Sequence, residues 1–130
     1  MSENFNLEII SPDKTLLTKE AHQVIIPSYE GLMGILKDHI SLVTFLRPGL
    51  IDVSSEKGDE KFFVEDGTVE FSNNSLLILS ATVRNIKNIS HQEINELIAE
   101  TEEKIKSAEI KDKDMYILTY KLDTLNQITR

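Results

Sequence analysis

The chain has 130 residues, of which 40% are hydrophobic and 28% are charged, and its formal net charge is −8 at pH 7. These totals are ordinary for a water-soluble protein of one domain, with or without an appendage. The acidic balance argues against a nucleic-acid-binding protein, which needs a basic surface for phosphates. Because the sequence has no cysteine, disulfides and thiolate metal sites are excluded. We expect no cofactor, and no window is apolar enough to predict a membrane-spanning segment.

The first strands follow directly from the N-terminal pattern. Phe5, Leu7 and Ile9 alternate with polar residues, as in a half-buried strand, and a turn follows at 11–13. Further strands are predicted at 15–18 and 21–26.

The stretch 26–53 combines apolar pairs with three of the five glycines of the chain. Because interior glycines disfavour a long helix, we predict short strands joined by tight turns. Gly31 and Gly34 are predicted turn residues, which would leave Leu32 and Met33 at a loop tip. Pro48 and Gly49 are predicted to form a type II turn, with Gly49 at positive φ. An apolar loop tip either folds back on the core or is held out for a partner.

Residues 50–80 continue the strand pattern at 50–54, 61–65, 68–72 and 75–80. Polar connections separate these strands, with a turn at Asn73-Asn74, and Asp66-Gly67 is read as a hairpin turn. The continuous apolar run at 76–79 predicts a strand buried on both faces. Short strands with closely spaced turns predict an all-antiparallel β-sandwich for residues 1–86.

The composition changes near residue 89, because every glycine, proline and phenylalanine precedes it. Residues 87–130 predict an antiparallel two-helix hairpin. Ser90 and Glu93 fit a capping box, and Ile89 with Ile94 fits a hydrophobic staple. Two apolar stripes at helical spacing follow: Ile94, Leu97, Ile98, Thr101, Ile105 and Ala108, then Met115, Leu118, Leu122 and Leu125 with Ile128 or Thr129.

Candidate catalytic residues are few. The three histidines are far apart in the sequence, and no phosphate-binding glycine motif is present. Asp38, His39 and Ser41 are too close along the chain to act as a nucleophilic triad, whose members converge from distant segments with an oxyanion hole. His39 is read equally as a turn residue bonded to backbone or as an interface residue. The sequence therefore argues against an enzyme, with neither a catalytic nor a metal site predicted.

The segment EGLMGILKDHISLVTFLRPGLIDV resembles the signature of the epsilon subunit of F-type ATP synthases, called delta in mitochondria. The family pattern E-G-x-x-G-I-x-x-x-H-x-x-L-x-T-x-L-x-P-G is matched by Glu30, Gly31, Gly34, Ile35, His39, Leu42, Thr44, Leu46, Pro48 and Gly49. KFFVEDGTVEFSNNSLLILSATV is similar to a second family block. The resemblance extends over nearly the whole chain.

The resemblance implies a non-catalytic subunit of the rotor stalk that couples rotation of the membrane c-ring to the catalytic head. The implied partners are the gamma subunit and the c-ring, with the alpha/beta catalytic head as a further partner reached through the C-terminal helices. The complex would lie at the cytoplasmic face of the cell membrane. The implied interface residues are Glu30, Gly31, Leu32, Met33, Gly34, His39, Ile40 and Leu42, with Pro48, Gly49 and Gly67 as structural turns.

The sequence departs from the family at several positions. Lys37-Asp38 replaces a common Pro-Gly, Ser41 stands where proline is common, and Asp66 replaces a glycine. These turns must be closed by other means, and aspartate tolerates positive φ better than most residues.

Two further departures concern regulation. Some bacterial members bind ATP through Ile or Leu, Asp, two residues, Arg and Ala, and here Glu93 stands in place of that arginine. We therefore expect no useful ATP binding. Inhibitory members use a basic second helix, whereas Lys113, Lys121 and Arg130 are widely spaced in this one, so we expect weak or absent inhibition.

Two alternatives to the stalk subunit belong to other classes. One is a free-standing regulatory binding module with a mobile helical lid. The other is a small hydrolase, which lacks a convergent nucleophile and base.

Overall fold

The computed structural model of the protein describes residues 3–107 and 111–128. In this part of the chain, strands come first and helices last, with the bounds β1 Phe5–Ile10, β2 Thr15–Ala21, β3 Gln23–Ser28, β4 Gly31–Leu36, β5 Leu42–Leu46, β6 Gly49–Ser55, β7 Gly58–Val64, β8 Gly67–Ser72, β9 Ser75–Leu79, β10 Arg84–Asn85, α1 His91–Ile105 and α2 Asp112–Ile128. A 3-10 turn over Ile86–Asn88 precedes α1. The predicted fold class, a β-sandwich followed by a helical hairpin, is confirmed.

The strands form one strongly curved sheet in the order β10-β7-β6-β3-β5-β8-β9-β1-β2, with β4 paired to β3. The pair Ser28–Leu46 joins β3 to β5, and there the sheet folds into two layers. At the far ends of the two layers, Lys19 Nζ of β2 lies 2.7 Å from Glu60 Oε1 of β7. The core between the layers consists of the inward residues of both.

The pairing of β1 with β9 is parallel, in the register Leu7–Leu76 and Ile9–Ile78. The prediction of an all-antiparallel sandwich was therefore wrong for this pair. Strands joined by a short turn must run antiparallel, whereas strands from distant parts of the chain are free to run parallel. The prediction that β9 is buried on both faces was also wrong, because Leu76 and Ile78 are buried but Leu79 is 43% exposed.

Two predicted turns, at Gly34 and at Asp66-Gly67, have a different structure. Gly34 lies inside β4, paired with Ile25, rather than in a turn. Asp66-Gly67 does not form a hairpin, because β7 pairs with β6 and β10 whereas β8 pairs with β5 and β9. The segment instead carries the chain from one layer to the other, with Gly67 at φ +153°.

Gly49 was predicted at positive φ, but the described glycines with positive φ are Gly31, Gly58 and Gly67. Gly49 begins β6, where an added Cβ would lie 2.5 Å from Pro27 Cβ. Glycine is therefore required there by the close approach of β3 and not by its backbone conformation.

The helical hairpin packs on the outer surface of β6 and β7. Ile94 of α1 and Leu125 of α2 are buried against Phe63, together with Ile89. Thr101 and Thr124 are buried as well, and their hydroxyls donate to the carbonyls of Leu97 and Tyr120 at 2.7 Å. Both stripes are thus confirmed over their central residues, although Met115 is 36% exposed. Ala108 and Thr129 lie outside the described residues.

The predicted cap of α1 is confirmed. The Glu93 backbone N–H donates to Ser90 Oγ at 3.1 Å, and the Ser90 N–H donates to Glu93 Oε1 at 3.5 Å. Arg84 Nη2 also donates to Glu93 Oε2 at 2.7 Å. The Arg84 hydrogen bond, followed by that from the Ser90 backbone, lowers the pKa of Glu93 below its ordinary value.

We predict that Ser90→Ala destabilises α1 by about 1 kcal/mol, because the Glu93 backbone N–H loses its acceptor, Ser90 Oγ. Amide hydrogen exchange in α1 measures this loss, and unchanged exchange in α1 would contradict it. Because the folded pKa of Glu93 is lowered, its stabilising effect is present at neutral pH. That effect is lost as the pH falls through the folded pKa.

Candidate partner interface

The predicted interface residues form two groups at opposite ends of β4. Glu30, Gly31 and Leu32 lie at the β3–β4 turn, whereas His39 and Ile40 lie in the β4–β5 loop. A six-residue strand separates its ends by about 17 Å. The structure therefore does not bring the predicted residues together in one patch.

At the β3–β4 turn, buried Ser28 holds the backbone. Ser28 Oγ donates to the Gly31 carbonyl at 2.7 Å and accepts from the Glu30 N–H at 3.3 Å. Leu32 points outward and is 71% exposed, whereas Met33 packs against the core. The prediction that both residues are displayed is therefore wrong for Met33, because successive side chains of a strand point to opposite faces.

The β4–β5 loop is closed by an interaction with the β8–β9 turn. Asp38 adopts φ 67°, its N–H donates to Asn74 Oδ1 at 2.7 Å, and Asn74 Nδ2 donates to Asp38 Oδ1 at 3.0 Å. The expectation that aspartate tolerates positive φ at this departure from the family is confirmed. The two hydrogen bonds between Asp38 and Asn74 close this loop in the absence of the Pro-Gly pair.

His39 lies half-buried in this loop, with its ring edge against Phe71 at a centroid distance of 5.9 Å. Its Nδ1 lies 2.8 Å from the Ile40 carbonyl oxygen. The neighbouring Ile40 is 79% exposed, whereas Leu42 packs against the core. The loop therefore presents Ile40 outward, and His39 has the backbone-bonded geometry of a turn residue.

A larger apolar surface continues from Ile40 along β5. Val43 and Phe45 are 70% and 60% exposed. Across the sheet, Val43 pairs with Glu70 of β8, which in turn pairs with Leu77 of β9. Phe45 is aligned with Leu79 of β9 in the same way, through Thr68. We call Ile40, Val43, Phe45, Leu77 and Leu79 the apolar face.

One end of the apolar face opens into a groove of about 1080 Å³. Phe45 and Leu79 line it together with Ile10 and Pro12, and Tyr29 and Lys113 also border it. Exposed apolar patches of this kind mark protein-binding sites on soluble proteins. The helical hairpin covers the opposite layer, so this face is open to a partner.

Sequence reasoning did not identify Val43, Phe45 and Leu79 as exposed apolar residues. In the run Leu42–Leu46 both alternating phases are largely apolar, so periodicity does not tell the inward from the outward residues. The matching apolar positions on β9 come from a distant part of the chain. Only the strand order places them on one surface.

The described residues contain no helix that is both long and apolar enough to span a bilayer.

This fold and its uncovered apolar face define a β-sandwich interaction protein with an appended helical hairpin. The family model described as ATP synthase, Delta/Epsilon chain, beta-sandwich domain matches residues 4–86. The chain belongs to the ATP synthase delta/epsilon chain family, which confirms the resemblance and its non-catalytic class.

Similar proteins include two bacterial relatives. The ATP synthase epsilon chain of Pelagibacter ubique is 45% identical over 129 residues, which cover 98% of this chain and 99% of that one. The sodium ion specific ATP synthase epsilon chain of Propionigenium modestum is 33% identical, over 87% of this chain and 82% of that one.

Two solved structures share the fold. A chain of the Euglena gracilis mitochondrial ATP synthase OSCP/F1/c-ring structure has a TM-score of 0.81 at 19% identity, covering 100% of this chain and 84% of that one. A chain of the Tetrahymena thermophila mitochondrial ATP synthase central stalk/c-ring structure has a TM-score of 0.64 at 16% identity, covering 96% of each chain.

Proposed function

We propose that this chain is the central-stalk subunit that joins gamma to the c-ring in an F-type ATP synthase, so that ring rotation reaches the catalytic head. Family membership supports the assignment, as do the solved structures of similar fold, which are described as F1/c-ring and central stalk/c-ring assemblies. The observation that carries it is the apolar face, which the helices of the chain leave uncovered. The complex then lies peripherally on the cytoplasmic face of the membrane.

The two groups of exposed residues suit two partners. The apolar face is broad and belongs to a rigid sheet, as a permanent protein interface requires, and we assign it to gamma. The β3–β4 turn is a small protrusion with exposed Glu30 and Leu32, and we assign it to the c-ring. In this proposal residues 1–86 bind both partners and residues 87–130 are the regulatory arm.

Co-purification with gamma tests this function. A tagged gamma subunit should retain the chain as a one-to-one complex through gel filtration. Leu32→Glu should leave that complex intact but weaken its attachment to isolated c-rings, whereas His39→Ala, which removes a ring that packs on Phe71, should have a smaller effect on both. A chain that elutes without gamma would favour the free-standing regulatory module.

Regulation through the hairpin is weak in this proposal. Lys121, one of the few basic residues of α2, lies 2.8 Å from Glu65 of the sandwich and is 11% exposed at its side chain. It is therefore not free to meet an acidic loop of the catalytic head while the hairpin is docked.

We predict that ATP does not bind with micromolar affinity. Glu93 stands in place of the motif arginine, and its carboxylate accepts hydrogen bonds from Arg84 and Ser90, so a phosphate would meet negative charge. Titration calorimetry with Mg-ATP should show no heat of binding at micromolar concentrations, with a family member that has the arginine as the positive control. Micromolar binding to this chain would overturn the prediction.

A further inference from the structure

A buried arginine lies where α2 crosses the sandwich. Arg47 follows β5 and is 8% exposed. Its Nη1 donates to the Pro48 carbonyl at 2.8 Å, and its Cζ lies 3.8 Å from the centroid of the Tyr120 ring. Arg47 Nε is buried without a hydrogen-bond partner among the described residues. The aromatic ring is therefore a principal stabiliser of this charge, and a cation over a ring face is held more strongly when desolvated.

All three tyrosines of the sequence belong to one series of ring contacts that ends at this arginine. Tyr116 and Tyr120 are four residues apart on α2, with ring centroids 4.8 Å apart. The Tyr116 ring stacks on Tyr29 of the β3–β4 turn at 6.0 Å and an interplanar angle of 15°, and its hydroxyl donates to the Tyr29 carbonyl at 3.4 Å. The cluster thus connects α2 to both β5 and the β3–β4 turn.

The other polar contacts between hairpin and sandwich are ion pairs with at least one exposed partner. Glu93 and Arg84 are 44% and 41% exposed at their side chains. Lys121 is 11% exposed, but its partner Glu65 is 36% exposed. Exposed ion pairs contribute little because water and salt screen them. The buried apolar contacts of Ile94 and Leu125 with Phe63 hold the hairpin without any connection to the β3–β4 turn.

We propose that Arg47, Tyr29, Tyr116 and Tyr120 form a latch that holds α2 on the sandwich and fixes the β3–β4 turn at the same time. Leu32, Arg47 and Tyr120 line one small pocket, separate from the groove beside Phe45, so the latch lies next to the residue assigned to the c-ring. The partner role of this turn rests on the proposed function, but the latch itself belongs to the isolated chain. Partner binding at the turn then changes the equilibrium constant for docking of α2, and docking of α2 changes the affinity of the turn for its partner by the same factor, as linkage requires.

Hydrogen exchange by NMR on the isolated full-length chain tests the latch. Tyr120→Leu keeps an apolar side chain but removes the ring, and Arg47→Met removes the charge. Each should accelerate exchange of the α2 amides about tenfold and also accelerate exchange at residues 29–32. The double variant should add little to either single variant, because both remove the same interaction.

One variant on α2 is the matched control. Thr119→Ala changes the exposed residue next to Tyr120. It should change α2 exchange by less than about twofold. Exchange of the β6 and β7 amides reports whether the sandwich itself stays intact. If Arg47→Met accelerates exchange in these strands, the test of the latch rests on Tyr120→Leu alone.

Unchanged α2 exchange in Tyr120→Leu would overturn the latch. Acceleration in α2 without acceleration at residues 29–32 would overturn its connection to the turn. Neither result bears on co-purification with gamma, so the latch and the stalk assignment fail independently.

Discussion

Phe45→Glu is expected to weaken binding of the gamma subunit at least about a hundredfold in Kd, which corresponds to about 2.7 kcal/mol. Phe45 is 60% exposed on the apolar face, and large aromatic residues carry most of the energy of many interfaces. The substitution removes that contact and also places a carboxylate in a surface that loses its water on binding. Surface plasmon resonance with immobilised gamma measures the change.

Leu16→Glu provides a matched control for this experiment. Leu16 is 38% exposed on β2, four strands from β5 in the sheet order, and receives the same charge outside the apolar face. Both variants should unfold within about 0.5 kcal/mol of the parent chain, as exposed substitutions usually do. If Phe45→Glu bound gamma as tightly as Leu16→Glu, the assignment of this face would be wrong.

Gly67→Ala is expected to lower the free energy of unfolding by about 3 kcal/mol. Gly67 has φ +153°, and an added Cβ would lie 2.6 Å from the Leu79 carbonyl oxygen and 2.9 Å from Ser80 Cβ. The backbone strain alone costs about 1–3 kcal/mol. The close contact adds to this cost, because the Leu79 oxygen belongs to the backbone of β9 and cannot move aside as a flexible side chain could. Urea denaturation followed by circular dichroism measures the difference.

Gly34→Ala is the control for this experiment, because it replaces a glycine without the backbone strain and the close contact that are present at Gly67. Gly34 lies in β4 without positive φ, and the nearest atom to an added Cβ is Gln23 Nε2 at 3.6 Å. This variant should change stability by less than about 1 kcal/mol in either direction. Equal urea midpoints for the two variants would show that the crossing at Gly67 tolerates a side chain.

The sequence predicted local structure well where neighbouring residues determine it. The capping box of Ser90 and Glu93 depends on four consecutive residues, and the Asn73-Asn74 turn depends on two residues that both adopt positive φ. Each motif contains its own hydrogen-bond partners or backbone preference. Such features need no knowledge of the rest of the fold.

Features that depend on distant residues were predicted less well. Gly49 was correctly singled out as structural, but its reason is the approach of Pro27 across the sheet. Gly34 was read as a turn because its pairing with Ile25 has no sequence signal. The candidate interface showed the same pattern, since Leu32 and Ile40 were predicted there and are exposed, whereas Phe45 and Leu79 required the strand order.

The parallel contact between β1 and β9 has a consequence for biosynthesis. Leu7 pairs with Leu76, so β1 pairs with β2 early but emerges from the ribosome long before its parallel neighbour β9 exists. Closing so long a loop makes this step slow compared with the local hairpins. Until then the inward side chains of the N-terminal strand are open to chaperones, and a nascent chain that stalled before residue 75 would lack the strand needed to shelter them.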